Sequence, residues 1–245
     1  MKRFIMPLGL ILLVAISAFA EKNWYMADDP LGWDLWPKDK IEGDSRALSY
    51  AEECRQIIKP IGWSEKGCFA FLMVSEWDDR FHAVFKLVDT ISDEVLESDV
   101  LFINASETGK IEKQYEDWEA LIKKHEINGT IEKPGPGTEL YQFPLYNRGI
   151  QYNAYFDFYL TRNSGTPSRQ WNLVVECINP SPETKIIASY SKNDDYYTFH
   201  FLIGFFKSPY ENRIAVYSAT LNDSGVFRGV INGCHLTSGF KNIKL

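Results

Sequence analysis

The sequence predicts a mainly β fold with one clear helix, its strands arranged as antiparallel meanders in a sandwich, a barrel or a partial propeller-like unit. Three observations carry this. Aromatic residues make up 15% of the 245-residue chain, and large flat rings favour a pleated surface. Short apolar runs alternate with turn clusters at strand-length intervals. One segment, from Glu107 to Glu126, carries a clear helical apolar period.

The first twenty residues stand apart from that fold. Lys2 and Arg3 precede an apolar run from Phe4 to Ala18, and Ala18-Phe19-Ala20 offers a small-x-small cleavage pattern before Glu21. This is the layout of a secretory signal peptide. We expect cleavage after Ala20 and a secreted or periplasmic mature protein. The first cysteine, Cys54, is too far from that point to carry a lipid anchor. No later apolar stretch reaches membrane-spanning length, so the mature chain is not expected to cross a membrane.

Removal of Lys2 and Arg3 makes the mature chain more acidic than the formal −7 of the full sequence. An acidic surface argues against nucleic acid as a partner, because phosphate contacts need basic side chains. It argues equally against charge-driven adhesion to anionic lipid.

Residues 21–45 read as an irregular aromatic arm, with Trp24, Trp33 and Trp36 among Asp28, Asp29, Pro30, Gly32 and Pro37. The β-rich domain then covers 46–245. Ser45 to Lys59 has apolar spacing suited to a short helix stopped by Pro60. Ile61-Gly62-Trp63 reads as a strand end before a Gly67 turn. Cys68 to Val74 is a continuous apolar run, as expected of a strand buried on both faces. Phe81 to Ile91, after an Asp78-Asp79 turn, places Ala83, Phe85 and Leu87 on one face, and Val95 to Ile103 follows as a third strand. In the helix, Ile111, Tyr115, Trp118, Leu121 and Ile122 form one stripe, best explained by packing on the sheet.

Lys133-Pro134-Gly135-Pro136-Gly137 breaks regular structure and marks an internal break near 133–137. Beyond it the signal is almost all strand: Tyr152–Thr161, Trp171–Ile178, a hairpin of 186–191 with 196–206, and a hairpin of 213–221 with 227–236.

Two stretches look alike. Ile61-Gly62-Trp63-Ser64 leads through Gly67 into Phe69-Ala70-Phe71, and Ile203-Gly204-Phe205-Phe206 leads through Ser208-Pro209 into Ile214-Ala215-Val216. The unit resembles the repeat of the Tol-associated periplasmic propellers, matching at Trp63, Ser64, Gly67, Ala70 and Phe71, with Glu65 and Lys66 where that repeat has Pro-Asp. The run from Ser208 to Val216, with Gly233-Cys234-His235-Leu236 and Gly239-Phe240, is similar to a group of uncharacterised predicted secreted bacterial proteins. These resemblances imply meander structure in each half and an envelope location, but no activity. Two copies fall short of the stacked units a propeller needs.

Cys54, Cys68, Cys177 and Cys234 form an even set, as expected of two disulfides in an oxidising compartment. Proximity favours Cys54 with Cys68 and Cys177 with Cys234. Trp33, Trp36, Trp63, Trp77 and Trp171 are candidate aromatics for stacking on a glycan ligand. No catalytic residue, metal site or cofactor is assigned. No Gly-x-Ser-x-Gly elbow or Ser-x-x-Lys pair occurs. Cys234 and His235 are strand neighbours pointing to opposite faces. Glu76, Asp78, Asp79, Asp157 and Glu176 are the carboxylates from which a glycosidase pair would be drawn. The expected function is a non-enzymatic binding or envelope interaction module acting on a protein or glycan. The alternative is a secreted carbohydrate-active protein, either a binding module or a glycoside hydrolase.

Overall fold

The structure, a computed structural model, describes residues 56–77, 80–92, 94–104, 108–163, 166–179, 182–192, 198–222 and 227–242. The expected signal peptide, the expected arm of 21–45, Cys54 and the expected turn at Asp78-Asp79 lie outside the described residues.

Thirteen strands and one helix are described, in three antiparallel sheets. Sheet A is the meander β1 (Gln56–Trp63), β2 (Cys68–Trp77), β3 (Arg80–Asp89) and β4 (Glu94–Asn104), in that order. Helix α1 (Thr108–Lys124) follows. Sheet B runs β12 (Phe227–His235), β11 (Arg213–Asn222), β10 (Thr198–Lys207), β5 (Leu140–Tyr141). Sheet C runs β13 (Lys241–Asn242), β9 (Glu183–Lys192), β8 (Thr166–Cys177), β7 (Ile150–Asn163), β6 (Leu145–Asn147).

The sheets stack rather than close into a barrel. Three apolar cores separate four layers. Ile61, Ala70, Leu72, Ala83, Phe85 and Leu87 of sheet A pack against Trp118 and Ile122 of α1. The opposite face of sheet A, with Trp63, Phe69, Phe71 and Val84, packs against Phe206, Ala215, Tyr217 and Ala219 of sheet B. Sheet B's other face, with Phe205, Ile214 and Val216, packs against Tyr152, Leu173 and Val175 of sheet C. Sheet B is therefore apolar on both sides, which is why 201–206 and 214–219 read as runs instead of alternating. Each large side chain removed from water contributes about 2–3 kcal/mol.

The helix stripe faces sheet A, as its spacing predicts. Trp118 is fully buried, and its Nε1 donates to Asp99 Oδ2 on β4 at 3.0 Å. Gln114 Nε2 donates to the same oxygen.

The two look-alike stretches occupy matching places. Ile61-Gly62 lies at a bulge between Pro60 and Gly62 in β1, and Ile203-Gly204 lies at a bulge between Leu202 and Gly204 in β10. At both, another backbone presses on the glycine. A Cβ on Gly62 would stand 2.1 Å from the Asn128 carbonyl oxygen, and one on Gly204 would stand 2.4 Å from that of Tyr141. Each hairpin closes on a serine whose amide donates across it, Ser64 to Cys68 and Ser208 to Arg213.

Two expectations are corrected. Residues 56–59 are strand, not the end of a helix. The β-branched pair Ile57-Ile58 suits a strand, and Pro60 is tolerated because β1 is an edge at a bulge. Second, β9 and β10 do not form a hairpin. β9 pairs with β8 and β13, whereas β10 pairs with β11 and β5. The chain passes between stacked layers there, and a polar turn signal does not distinguish that crossing from a hairpin. The 133–137 break is tied to sheet A: Gly135 N donates to Ile61 O at 2.8 Å, and Trp63 Nε1 to Gly137 O at 2.9 Å.

Candidate functional site: a ring cluster between two sheets

Toward one end of the interface between sheets B and C, the core changes from aliphatic to aromatic. Strand alternation puts Phe156 and Phe158 on the inner face of β7, continuing the line of Tyr152 and Ala154. The register sets Trp171 opposite Phe158 and Tyr190 opposite Trp171, so one row of rings crosses β7, β8 and β9. His200 of β10 approaches from sheet B. Its ring centroid is 4.8 Å from Trp171, 5.1 Å from Phe156 and 5.1 Å from Tyr190. Phe158 stacks on Trp171 at 5.3 Å with a tilt of 49° and is 51% exposed. The cluster thus runs from an open rim at Phe158 inward to a histidine.

The rings packed on His200 are uncharged. Burial among the rings pushes the His200 imidazole down to about 4, so it is neutral near pH 7. Its Nδ1 is buried and has no hydrogen-bond partner. Tyr190 reaches across the interface, and its hydroxyl donates to Asn232 Oδ1 on β12 at 3.0 Å. An imidazole ringed by aromatics, with one nitrogen unspent, holds shape and one polar interaction. Among the described residues, no group of three or more His, Cys, Asp or Glu side chains is placed to hold a metal ion.

Among the described residues, Trp171 is the one expected stacking aromatic that lies in this cluster. Trp63 is fully buried between sheets A and B, tilted 42° against Phe69, and has no face to offer a ligand. Trp77 ends β2 opposite Arg80, in a different sheet. Trp33 and Trp36 lie outside the described residues. The rings touching Trp171 tilt by 36° and 49°, so they do not form the coplanar platform that suits a sugar face.

The expected Cys177–Cys234 pairing is not formed, and Cys54 of the other expected pair lies outside the described residues. Cys68 and Cys177 carry free thiols. Cys177 ends β8, where its Sγ donates to Asn179 O at 3.2 Å. Cys234 is buried on β12 in the facing sheet, so closeness in sequence does not translate into a bond.

Nor do Asp157 and Glu176 converge. Asp157 pairs with Asn172, whereas Glu176 pairs with Asn153, four residues away along β7. That is about 13 Å at strand rise, beyond the spacing glycoside hydrolysis requires. Asp157 instead accepts a hydrogen bond from the Tyr159 hydroxyl. His125 bonds Glu97 at 3.2 Å, and the His235 ring engages Thr237 and Ser238.

Searches against family models, curated proteins and solved structures find no match to this chain. Among the described residues, no helix is long and apolar enough to cross a membrane.

Proposed function

We propose that the chain is an exported binding module, delivered to the periplasm or exterior by its N-terminal segment, and that it holds its ligand at the ring cluster around His200. The observation that carries this reading is the half-open row Phe158–Trp171–His200. Phe158 is 51% exposed beside a partly buried indole, at the rim of an otherwise closed interface. An exposed ring beside partly buried rings, with few polar groups, offers an apolar contact to a small ligand. The tilted rings favour an aromatic or apolar guest held edge-to-face over a glycan stacked on a flat platform.

Thermal-shift screening with a panel of small aromatic compounds and methyl glycosides tests this. Hits are expected among the aromatics, and they should be lost in Phe158→Ala and Trp171→Leu. A panel with no aromatic hit, or hits that persist in both variants, would sink the assignment.

A further inference from the structure

Sheet C ends the stack. Its inner face meets sheet B, and among the described residues no other layer packs on its outer face. On β7 the inward line is Tyr152, Ala154 and Phe156, so alternation turns Tyr155, Asp157 and Tyr159 outward. Tyr155 is 38% exposed and Tyr159 46%. Neither ring touches another ring among the described residues. The Tyr159 hydroxyl donates to Asp157 Oδ2. Burial, and then the Glu176 and Asp157 carboxylates, push the Tyr155 phenol up, so this phenol also lies within reach of the Asp157 charge.

Register sets Asn172 of β8 opposite Asp157, and Ser189 of β9 opposite Asn172. Asn172 is only 5% exposed. Its Oδ1 accepts from Ser189 Oγ at 2.8 Å and from Gln170 Nε2 at 3.2 Å. Its Nδ2 has no acceptor among the described residues, yet it is not sealed from solvent. Asp157 Oδ1 likewise accepts nothing among the described residues. An unspent donor and an unspent acceptor therefore stand on neighbouring strands, about 5 Å apart at the backbone, between two open rings. The cross-strand rows of Tyr155, Asp157 and Tyr159 hold no lysine or arginine. Lys241 falls in the Glu176 row, opposite Thr184.

We propose that this outer face binds a neutral oligosaccharide, whose hydroxyls accept from Asn172 Nδ2 and donate to Asp157 Oδ1 while the Tyr155 and Tyr159 rings lie against its C–H faces. The site is separate from the ring cluster, which occupies the inner face of the same sheet. Sugar hydroxyls both donate and accept, so two adjacent ones serve both unspent groups. A guanidinium or ammonium carries donors only and would leave Asn172 Nδ2 unsatisfied. An anion would meet the Asp157 charge with no base in its row to offset it. Tyrosine suits such a surface, because its ring is apolar and its tip is polar.

Calorimetric titration of the purified full chain with cellohexaose, chitohexaose, maltohexaose and laminarihexaose tests the proposal. At least one is expected to bind, with an affinity unchanged from about 50 to about 500 mM salt. Asp157→Ala and Tyr155→Ala should each weaken that binding about tenfold or more, with a melting temperature that shows the variants folded. Phe158→Ala, on the inner face, should leave it unchanged. Binding of none of the four sugars overturns the proposal, as does an affinity unaltered in both Asp157→Ala and Tyr155→Ala. Sugar binding lost in Phe158→Ala but kept in the two outer-face variants would move the glycan to the ring cluster and overturn it too. A tetra-arginine amide that binds in place of the sugars, and is released by salt, would assign this face to a basic protein segment instead. Loss of the aromatic hits in Phe158→Ala bears on the ring cluster alone and leaves this face to be judged by the sugars.

Discussion

Tyr190 of sheet C and Asn232 of sheet B are joined by a 3.0 Å hydrogen bond from the tyrosine hydroxyl to the asparagine Oδ1, and the Tyr190 ring lies 5.1 Å from the His200 imidazole. A polar link thus crosses the core interface at the point where its aliphatic packing gives way to rings. Replacing Tyr190 by Phe keeps the ring and removes the donor, leaving Asn232 Oδ1 without this bond. We expect a loss of about 1 kcal/mol, read as a lower urea midpoint with an unchanged slope. A fall in the slope would mean that the two sheets no longer unfold together.

His200 makes the protein acid-sensitive. Its folded pKa lies near 4 against 6.5 for the free group, and the cause is burial. The folded state therefore disfavours the proton. Between pH 6.5 and 4 the unfolded chain binds more protons, so stability rises with pH through this window. The contribution is whole above pH 6.5 and is lost as the pH falls toward 4. Partial exposure limits it to about 1–2 kcal/mol. Denaturant melts of the parent and of His200→Phe should diverge in slope against pH within that window. Parallel pH profiles would contradict the burial.

Gly62 is required by contact and not by backbone conformation. Its absent Cβ would sit 2.1 Å from the Asn128 carbonyl, where the chain leaving α1 crosses β1 and the Asn128 amide donates to Trp63 O at 2.9 Å. Gly62→Ala should cost about 2–3 kcal/mol. Gly149 supplies the contrast: its φ is +78°, and a Cβ there meets nothing within 4 Å. Gly149→Ala should cost only about 1 kcal/mol, the price of left-handed backbone. Equal effects of the two changes would show that the Asn128 crossing readily gives way.

Trp63 and Trp171 should separate cleanly in a mutational test. Trp63 is wholly buried and bonded to Gly137, so Trp63→Ala should cost about 3–5 kcal/mol. Trp171 is partly exposed, and its truncation should cost clearly less stability while removing ligand binding. Thermal denaturation alongside titration distinguishes the two. A Trp63 variant of full stability would contradict its place in the core.

Export is tested by the mature protein's own N-terminus. Edman sequencing or intact mass of the secreted or periplasmic fraction should begin at Glu21, matching the Ala18-Phe19-Ala20 pattern. Recovery of the chain with Met1 still attached in the cytoplasm would remove the address on which the proposed function rests.

Much of the fold was legible because local chemistry repeats. The meander from Cys68 to Ile103 followed from apolar runs and turns, and the α1 stripe from the spacing of Trp118 and Ile122. The likeness of Ile61-Gly62 to Ile203-Gly204 corresponds to matching bulges. The candidate site was less legible. Trp171 stood out as an aromatic, but nothing local ties it to His200 or Tyr190, which come from other strands and, for His200, from another sheet. Trp63 read as a ligand-stacking ring because an indole's sequence neighbours do not reveal which of its faces is covered.

The sequence by itself determined that this chain is acidic and that its body is mostly strand with one amphipathic helix. Those properties depend on composition and on periods of a few residues. Tertiary structure alone decided that β9 and β10 part into different sheets, that sheet B is buried on both faces, and that His200 of sheet B meets a row of rings from sheet C. The physical reason is that register and layer order depend on which apolar faces find each other across long loops, and strand alternation says only that a face exists, not what covers it.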